Sequence, residues 1–114
     1  MNIKRLLIAN RGEIAIRIVQ TARELAVATV AVHSADDAAS LHVAMADEAV
    51  ALEGVGVDAY LDIEQTVRAA KSRQCDAIHP GYGFLSENAR FALRCEQEGI
   101  TFVGPNSRLL ALFG

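Results

Sequence analysis

The sequence contains little cysteine, little proline and no tryptophan. Its 114 residues include two cysteines, two prolines and two tyrosines. Small secreted proteins that depend on disulfides carry more cysteine, so we expect Cys75 and Cys95 to be reduced thiols in a cytoplasmic protein. The two prolines and eight glycines also exclude collagen-like and low-complexity chains.

Long apolar runs and strong charge are missing as well. The longest stretch without a charged side chain, residues 25–35, is shorter than the roughly 18 apolar residues that a membrane span requires. Residues 1–5 lack the apolar core of a signal peptide. A formal net charge of −3 argues against nonspecific binding to nucleic acid. With 52% hydrophobic residues, the chain is predicted to form one folded domain over residues 1–114.

Short apolar runs alternate along the chain with segments of helical period. Strands are predicted at residues 5–9, 28–32, 49–52, 76–78 and 100–103. Helices are predicted at residues 13–25, at 40–46, from 62 onward, at 86–98, and from Pro105 to Gly114. This alternation predicts an α/β fold: a Rossmann-like, doubly wound domain with a parallel sheet of about five strands and helices on both faces.

The helix predicted at residues 13–25 has two different faces. Spacings of three and four residues predict a buried stripe formed by Ile14, Ile18, Ala22 and Leu25. The opposite face carries three polar or charged side chains: Arg17, Gln20 and Glu24. That face is a candidate interaction surface.

Residues with capping chemistry predict three helix ends. Asp62 is expected to cap a helix N-terminus, with Gln65 at the third helical position. Ser86 is expected to cap the next helix, which places Glu87 in its first turn. Gly99 is expected to end that helix in a left-handed conformation.

The first turn after a predicted strand is Asn10-Arg11-Gly12-Glu13. A dinucleotide-binding turn would carry three glycines here, and only Gly12 is present. Glu13 would also repel a phosphate at the helix N-terminus. Two interpretations stay open: a plain structural turn, or a turn in which Arg11 directs its guanidinium at a carboxylate or a backbone carbonyl.

Two further segments are weak candidates for ligand binding. Residues 54–59 match the pattern G-x-G-x-x-A, but they follow the third strand and do not lead at once into a predicted helix, so we expect a flexible loop. Asp36 and Asp37 follow the second strand, where an acidic side chain can bind a ribose or a metal. A solvated loop is the favoured interpretation of this pair.

The most distinctive segment begins at His79, where the fourth strand ends. Pro80 stiffens the chain, and Gly81 and Gly83 flank Tyr82, so that a ligand could come close to the backbone and the ring. Ligands bind outside the carboxyl ends of the strands in open parallel sheets. A ligand site and a structural loop are equally compatible with this pattern, and His79 alone is more typical of a partly buried histidine than of a catalytic base.

Residues 6–15 and 79–88 together resemble the N-terminal domain of biotin carboxylase, as found in acetyl-CoA and propionyl-CoA carboxylases. Similarity extends over essentially the whole chain. The resemblance implies a ligase that uses ATP, with Mg or Mn, to activate bicarbonate and to carboxylate biotin on a carrier domain. It also implies that the nucleotide site and the catalytic residues lie in a following ATP-grasp domain, so this chain is expected to be an inactive fragment without catalytic or metal-binding residues of its own.

The resemblance also suggests roles for individual residues. Four residues match the wall that faces biotin and bicarbonate: Gly81, Tyr82, Gly83 and Glu87. Arg17, Gln20 and Glu24 match homodimer contacts of the family, while Ala26 stands where the family often has glycine. The implied partners are the biotin carboxyl carrier domain and a carboxyltransferase component, with an acyl-CoA as the final acceptor. The alternatives are the equivalent domain of a pyruvate or urea carboxylase, a stand-alone nucleotide-binding module, and a domain that acts purely as an interaction surface.

Overall fold

A computed structural model describes residues 3–104, which form a parallel sheet covered by helices on both faces. The strands are β1 (Arg5–Ile8), β2 (Ala28–His33), β3 (Glu48–Ala51), β4 (Ala77–His79) and β5 (Thr101–Phe102). The helices are α1 (Gly12–Glu24), α2 (Leu41–Met45), α3 (Val57–Tyr60), α4 (Ile63–Ser72) and α5 (Ala89–Gln97). The strand order is β3-β2-β1-β4-β5 and every pair is parallel, which confirms the predicted fold class. The helix predicted from Pro105 to Gly114 lies outside the described residues.

The central strand β1 divides the core into two layers. Leu6 and Ile8 point to one face of the sheet, where they pack with Ala15 and Val19 of α1. Leu7 points to the other face and belongs to the cluster formed with α4 and α5. Because the sheet is buried on both faces, β1 is a continuous apolar run rather than an alternating one. Within residues 3–104, no helix is long and apolar enough to cross a membrane.

Helix α1 faces the sheet with a different stripe from the predicted one. Its buried residues are Ala15, Val19 and Ala22, whereas Leu25 is 70% exposed. The small side chains of the alanines let the helix axis approach the sheet closely, and the larger Ile14 and Ile18 are left half-buried at the side. The prediction is confirmed at Ala22 and wrong at Leu25, and at Ile14 and Ile18 it gave weight to bulk where close packing selected the neighbouring Ala15 and Val19.

The helix N-termini agree with the predictions at one position and correct them at another. The Asp62 carboxylate accepts a hydrogen bond from the backbone N–H of Gln65 at 3.1 Å, as expected of an N-cap. Ser86 does not cap α5. Residues 83–88 form turns instead, and Asn88 is the cap, with its side-chain oxygen accepting from Phe91 N–H at 2.9 Å. Glu87 therefore precedes the helix rather than lying in its first turn.

Three helices end next to a left-handed residue: Ala26 follows α1, Gln74 follows α4 and Gly99 follows α5. Gly99, at φ 72°, ends α5, and the N–H of Ile100 returns to the carbonyl of Cys95 at 2.9 Å. Ala26 ends α1 in the same way at φ 58°, with Val27 N–H bonded to the Ala22 carbonyl at 2.8 Å. A left-handed conformation costs a residue with a Cβ about 1 kcal/mol, which gives a physical reason for glycine at this position.

Candidate functional site at the carboxyl edge of the sheet

Three loops meet at one edge of the sheet because the strands that precede them are parallel. They are residues 9–11 after β1, residues 34–40 after β2, and residues 80–88 after β4. The strand order places β1 between β2 and β4, so the β1 loop can contact both of the others. This edge is where open parallel sheets bind their ligands.

Asn10 joins the first of these loops to the third. Its side chain is 1% exposed, and its Nδ2 donates to the carbonyl oxygens of Pro80 and Tyr82, both at 2.8 Å. Its Oδ1 accepts from the backbone N–H of Arg11 at 2.8 Å. The amide group therefore fixes the backbone on both sides of Gly81.

Gly81 lies directly against Asn10. Its φ is 65°, and a Cβ at this position would lie 2.7 Å from both Asn10 Nδ2 and Ile14 Cγ2. The N–H of Gly81 donates to Nδ1 of His79 at 3.0 Å, so Nδ1 must be unprotonated for this bond to form. Burial lowers the pKa of His79, which favours that neutral state.

The loop presents Tyr82 outward. The Tyr82 side chain is 79% exposed, and Gly83 follows it at φ 71°. Glu87 is also exposed, a few residues further along the same loop. Phe84 turns inward at φ 48° and places its ring 5.5 Å from the ring of Tyr60. The structure therefore puts an aromatic ring, a phenol hydroxyl and a carboxylate at the rim of the sheet.

Arg11 connects the first loop to the second. Its Nε and Nη2 donate to the two carboxylate oxygens of Asp37 at 2.7 and 2.9 Å. The hydroxyl of Tyr60, a residue that is 1% exposed, donates to Asp37 Oδ2 at 2.6 Å. The hydrogen bonds from Arg11 and Tyr60 hold the pKa of Asp37 well below its usual range, and burial raises the pKa of Tyr60.

This network corrects one expectation and decides another. Asp37 is buried, so the solvated loop expected at Asp36–Asp37 is wrong for its second residue. Of the two interpretations of Arg11, the one in which the guanidinium binds a carboxylate is confirmed. Tyr60 is the third member of this network and was not among the predicted site residues. No local pattern marks this tyrosine, because its partner lies 23 residues away.

The segment 54–59 also differs from the expected loop. A short helix, α3, does begin at Val57, directly after Gly56. The N–H of Gly56, which a dinucleotide site would direct at a phosphate, donates instead to the Asp36 carboxylate at 2.9 Å. Asp36 also accepts from the Ser34 hydroxyl at 2.6 Å. A carboxylate bound at this amide opposes the approach of an anionic phosphate.

The described residues do not fit a nucleotide or its metal ion. Arg11 is paired with Asp37, and Glu13 adds a negative charge to the first turn of α1, where a phosphate would bind. Between residues 3 and 104, no group of three or more histidine, cysteine, aspartate or glutamate side chains could hold a metal ion. Any bound ATP and its cation would need other residues.

The residues predicted for a dimer contact lie on the exposed side of α1. Arg17, Gln20 and Glu24 are all exposed, and Arg17 pairs with Glu13 one turn earlier at 3.2 Å. Arg17 also borders an apolar groove of about 830 Å³ that extends along α1 to Tyr82. The structure therefore gathers the predicted pocket residues in one loop and the predicted dimer residues on one helix.

The fold defines a Rossmann-like α/β domain with three loops at the carboxyl edge of its parallel sheet. The sequence matches the model of the family described as "Biotin carboxylase, N-terminal domain" over residues 2–110. The chain belongs to this family, as its resemblance at residues 6–15 and 79–88 predicted.

Individual relatives agree with this assignment. Pyruvate carboxylase of Bacillus subtilis is 57% identical over 99% of this chain, which covers 10% of that protein. Biotin carboxylase 1 of the same species is 53% identical over 98% of this chain, which covers 25% of it. The solved biotin carboxylase domain of a thermophilic 2-oxoglutarate carboxylase, bound to bicarbonate, gives a TM-score of 0.95 at 45% identity, with 98% of this chain and 25% of that one covered. The chain thus spans about a tenth to a quarter of the length of these proteins.

Proposed function

We propose that residues 1–114 form the N-terminal domain of an ATP-dependent biotin carboxylase, a ligase that makes a C–N bond between bicarbonate carbon and biotin nitrogen. The observation that carries the proposal is the outward-facing Tyr82, bracketed by left-handed glycines and anchored at the carboxyl edge of the sheet. Its family membership supplies the reaction class. A relative with a bound bicarbonate supports the same substrate here.

The proposed role of this chain is to form one wall of the biotin and bicarbonate pocket. Gly83 has open space where a side chain would lie, so a ligand can approach the backbone beside the Tyr82 ring, while Gly81 lets the same loop pack against Asn10. The ring offers a flat apolar face and the hydroxyl can donate or accept a hydrogen bond. Glu87 adds an exposed carboxylate that can accept from a ureido N–H.

The nucleotide belongs to another part of the proposed enzyme. ATP, with Mg or Mn, would supply the phosphoryl group that activates bicarbonate, and the poor fit of the described residues to a phosphate supports a site in an ATP-grasp domain that follows this chain. The same poor fit, above all the Gly56 amide bound to Asp36, counts against a stand-alone nucleotide-binding module. No catalytic residue is assigned within this chain.

The proposal also concerns the compound that finally receives the carboxyl group. Relatives of this domain at about half identity include pyruvate, urea and propionyl-CoA carboxylases. One domain that serves such different acceptors is suited to the shared biotin step, while a separate carboxyltransferase component selects the acceptor. An acyl-CoA, acetyl-CoA or propionyl-CoA, is the acceptor we propose to test first, with pyruvate and urea as the alternatives.

The proposed assembly uses the outer face of α1. Arg17, Gln20 and Glu24 are exposed there and present charges of both signs, which suits a contact with the same face of a second copy. The carrier domain would deliver biotin to the rim near Tyr82. The two buried, unpaired thiols, Cys75 and Cys95, support a location in the cytoplasm.

The proposal is tested with the full-length gene product that contains this chain. We expect ATP cleavage that depends on both bicarbonate and free biotin. The Tyr82→Ala variant should lower the biotin-dependent rate, and Tyr82→Phe should separate the contribution of the hydroxyl from that of the ring. An intact, folded enzyme without biotin-dependent ATP cleavage would contradict the proposal.

A further inference from the structure

We propose that Asn10 is a positioning residue for the biotin step: it fixes the backbone at Tyr82 and thereby sets where the ring faces the substrate. The inference rests on the proposed function of Tyr82. The turn after β1 does not fit a phosphate in this domain. Its role in this inference is to position the loop after β4.

Three hydrogen bonds fix the orientation of the Asn10 side-chain amide. Both donated bonds, to the carbonyls of Pro80 and Tyr82, measure 2.8 Å, and the accepted bond from Arg11 N–H has the same length. Asn10 is 1% exposed, and it follows the buried Ala9 and the buried end of the central strand at Ile8. The amide is therefore held next to the buried central strand, and its hydrogen bonds tie the loop after β4 to that strand.

Tyr82 has little else to hold it. Within residues 3–104, its side chain makes no hydrogen bond and no contact with another ring, and 79% of it is exposed. Its position therefore depends on the backbone, and the carbonyl of Tyr82 itself is bonded to Asn10 Nδ2. An error of about 1 Å in such a wall can reduce turnover by about a hundredfold when a substrate must be aligned for reaction.

Gly81 shows that the two segments are fitted to each other. A Cβ at Gly81 would approach Asn10 Nδ2 and Ile14 Cγ2 to 2.7 Å, closer than real contacts allow. Only glycine lets the loop come near enough for both carbonyls to reach the amide. The bond from Gly81 N–H to His79 Nδ1 at 3.0 Å closes the turn from its other side.

The sharpest test is Asn10→Asp in the full-length enzyme. Aspartate has the same shape and keeps the acceptor for Arg11 N–H, but it replaces the donor of two bonds by an oxygen that repels both carbonyls. We expect the KM for free biotin to rise by about tenfold to a hundredfold, with the KM for ATP unchanged. Hydrogen exchange should accelerate in a peptide covering residues 79–84 and remain slow in β1.

A matched control is Asn88→Asp. Asn88 lies in the same loop and its side-chain oxygen accepts from Phe91 N–H, a bond that an aspartate oxygen also makes. The same chemical change there should leave both KM values within about twofold of the parent enzyme, because aspartate is as good an N-cap as asparagine. A rise in the KM for biotin with Asn10→Asp but not with Asn88→Asp supports the assignment.

A second variant keeps the test decisive if Asn10→Asp fails to fold. Gly81→Ala drives a methyl group against the Asn10 amide from the loop side and should raise the KM for biotin in the same selective way. Unchanged biotin KM in a folded Asn10→Asp or Gly81→Ala enzyme, while Tyr82→Ala still raises it, would overturn the role of Asn10 alone. A parent enzyme with no biotin-dependent turnover would overturn the proposed function and this inference together.

Discussion

Two loops at the same edge of the sheet treat their polar groups in opposite ways. The loop after β2 turns Asp37 inward, where Arg11 and Tyr60 satisfy it from two other elements. The loop after β4 is bound through its backbone carbonyls and leaves the Tyr82 side chain outside. In the first, which we call the closed loop (residues 34–40), the Asp37 carboxylate is bound by protein groups and stabilises the domain. In the second, which we call the open loop (residues 80–88), the backbone is held and the Tyr82 side chain stays exposed, as the proposed pocket wall requires.

The largest effect on stability is expected at the closed loop. Asp37→Ala should lower the free energy of unfolding of the 114-residue chain by about 2–3 kcal/mol, since it leaves the buried Tyr60 hydroxyl without its acceptor and Arg11 without its partner. Urea unfolding measures this loss. Asp36→Ala is the neighbouring control: its carboxylate is exposed, so the loss of its bonds from Ser34 and Gly56 should cost less. Equal losses at both positions would remove the distinction between an inward and an outward aspartate.

A smaller loss is expected from Tyr60→Phe. The ring still packs against Phe84, but the hydrogen bond to Asp37 and the one accepted from Ser34 N–H, at 3.2 Å, both disappear. We expect about 1–2 kcal/mol, because Asp37 keeps its bonds to Arg11 while the buried Ser34 N–H loses its acceptor. The measurement is again urea unfolding, and a variant as unstable as Asp37→Ala would show that the hydroxyl, rather than the ion pair, dominates the network.

The sequence predicts the backbone of this edge better than its side-chain contacts. The parallel sheet and the placement of its loops follow from alternating apolar runs and helical segments, and the cap at Asp62 follows from Gln65 three residues later, because such signals are local. The Arg11–Asp37–Tyr60 network joins residues from three separate segments, so only the folded chain reveals it. The glycines around Tyr82 mark an unusual backbone, but nothing local indicates that Asn10, from the loop after the neighbouring strand β1, binds it.

The errors have an equally physical origin. Ser86 and Asn88 are both good N-caps, and their choice depends on the tight turns that follow Gly83 rather than on propensity. The stripe predicted for α1 was correct at Ala22, but Ala15 and Val19 are buried in place of Ile14 and Ile18, because Ala15 packs more closely than Ile14. In both cases tertiary packing decided between two patterns that the sequence supports almost equally.

Acid should lower the stability of the domain through two histidines, one next to the open loop and one in α2. Burial lowers the pKa of His79, at the open loop, and of His42, whose Nε2 lies 3.2 Å from the Val32 carbonyl. In the unfolded chain histidine takes up a proton near pH 6.5, whereas in the folded chain these two side chains take it up only at lower pH. The free energy of unfolding is therefore highest above about pH 6.5 and falls as the pH decreases below that value. Urea unfolding at about pH 7.5 and 5.5 measures the change.

The contribution of the open loop can be isolated with His79→Asn. An asparagine oxygen can replace Nδ1 as the acceptor for Gly81 N–H but does not titrate in this range. We expect the variant to lose less stability than the parent chain between the two pH values. An identical decrease would assign the pH dependence to His42 and leave the open loop insensitive to acid.

The smallest effect on stability, and the clearest contrast with Asp37, is expected for Tyr82→Ala. Most of this side chain is in solvent, so its removal should change the free energy of unfolding by no more than about 0.5 kcal/mol. Biotin-dependent ATP cleavage by the full-length enzyme should nevertheless fall. Loss of activity without loss of stability at Tyr82, against loss of stability at Asp37, would assign different roles to the two loops. A Tyr82→Ala enzyme with unchanged kinetics would show instead that an outward-facing ring at this edge is not part of the pocket, and that the rigidity supplied by Asn10 serves the fold alone.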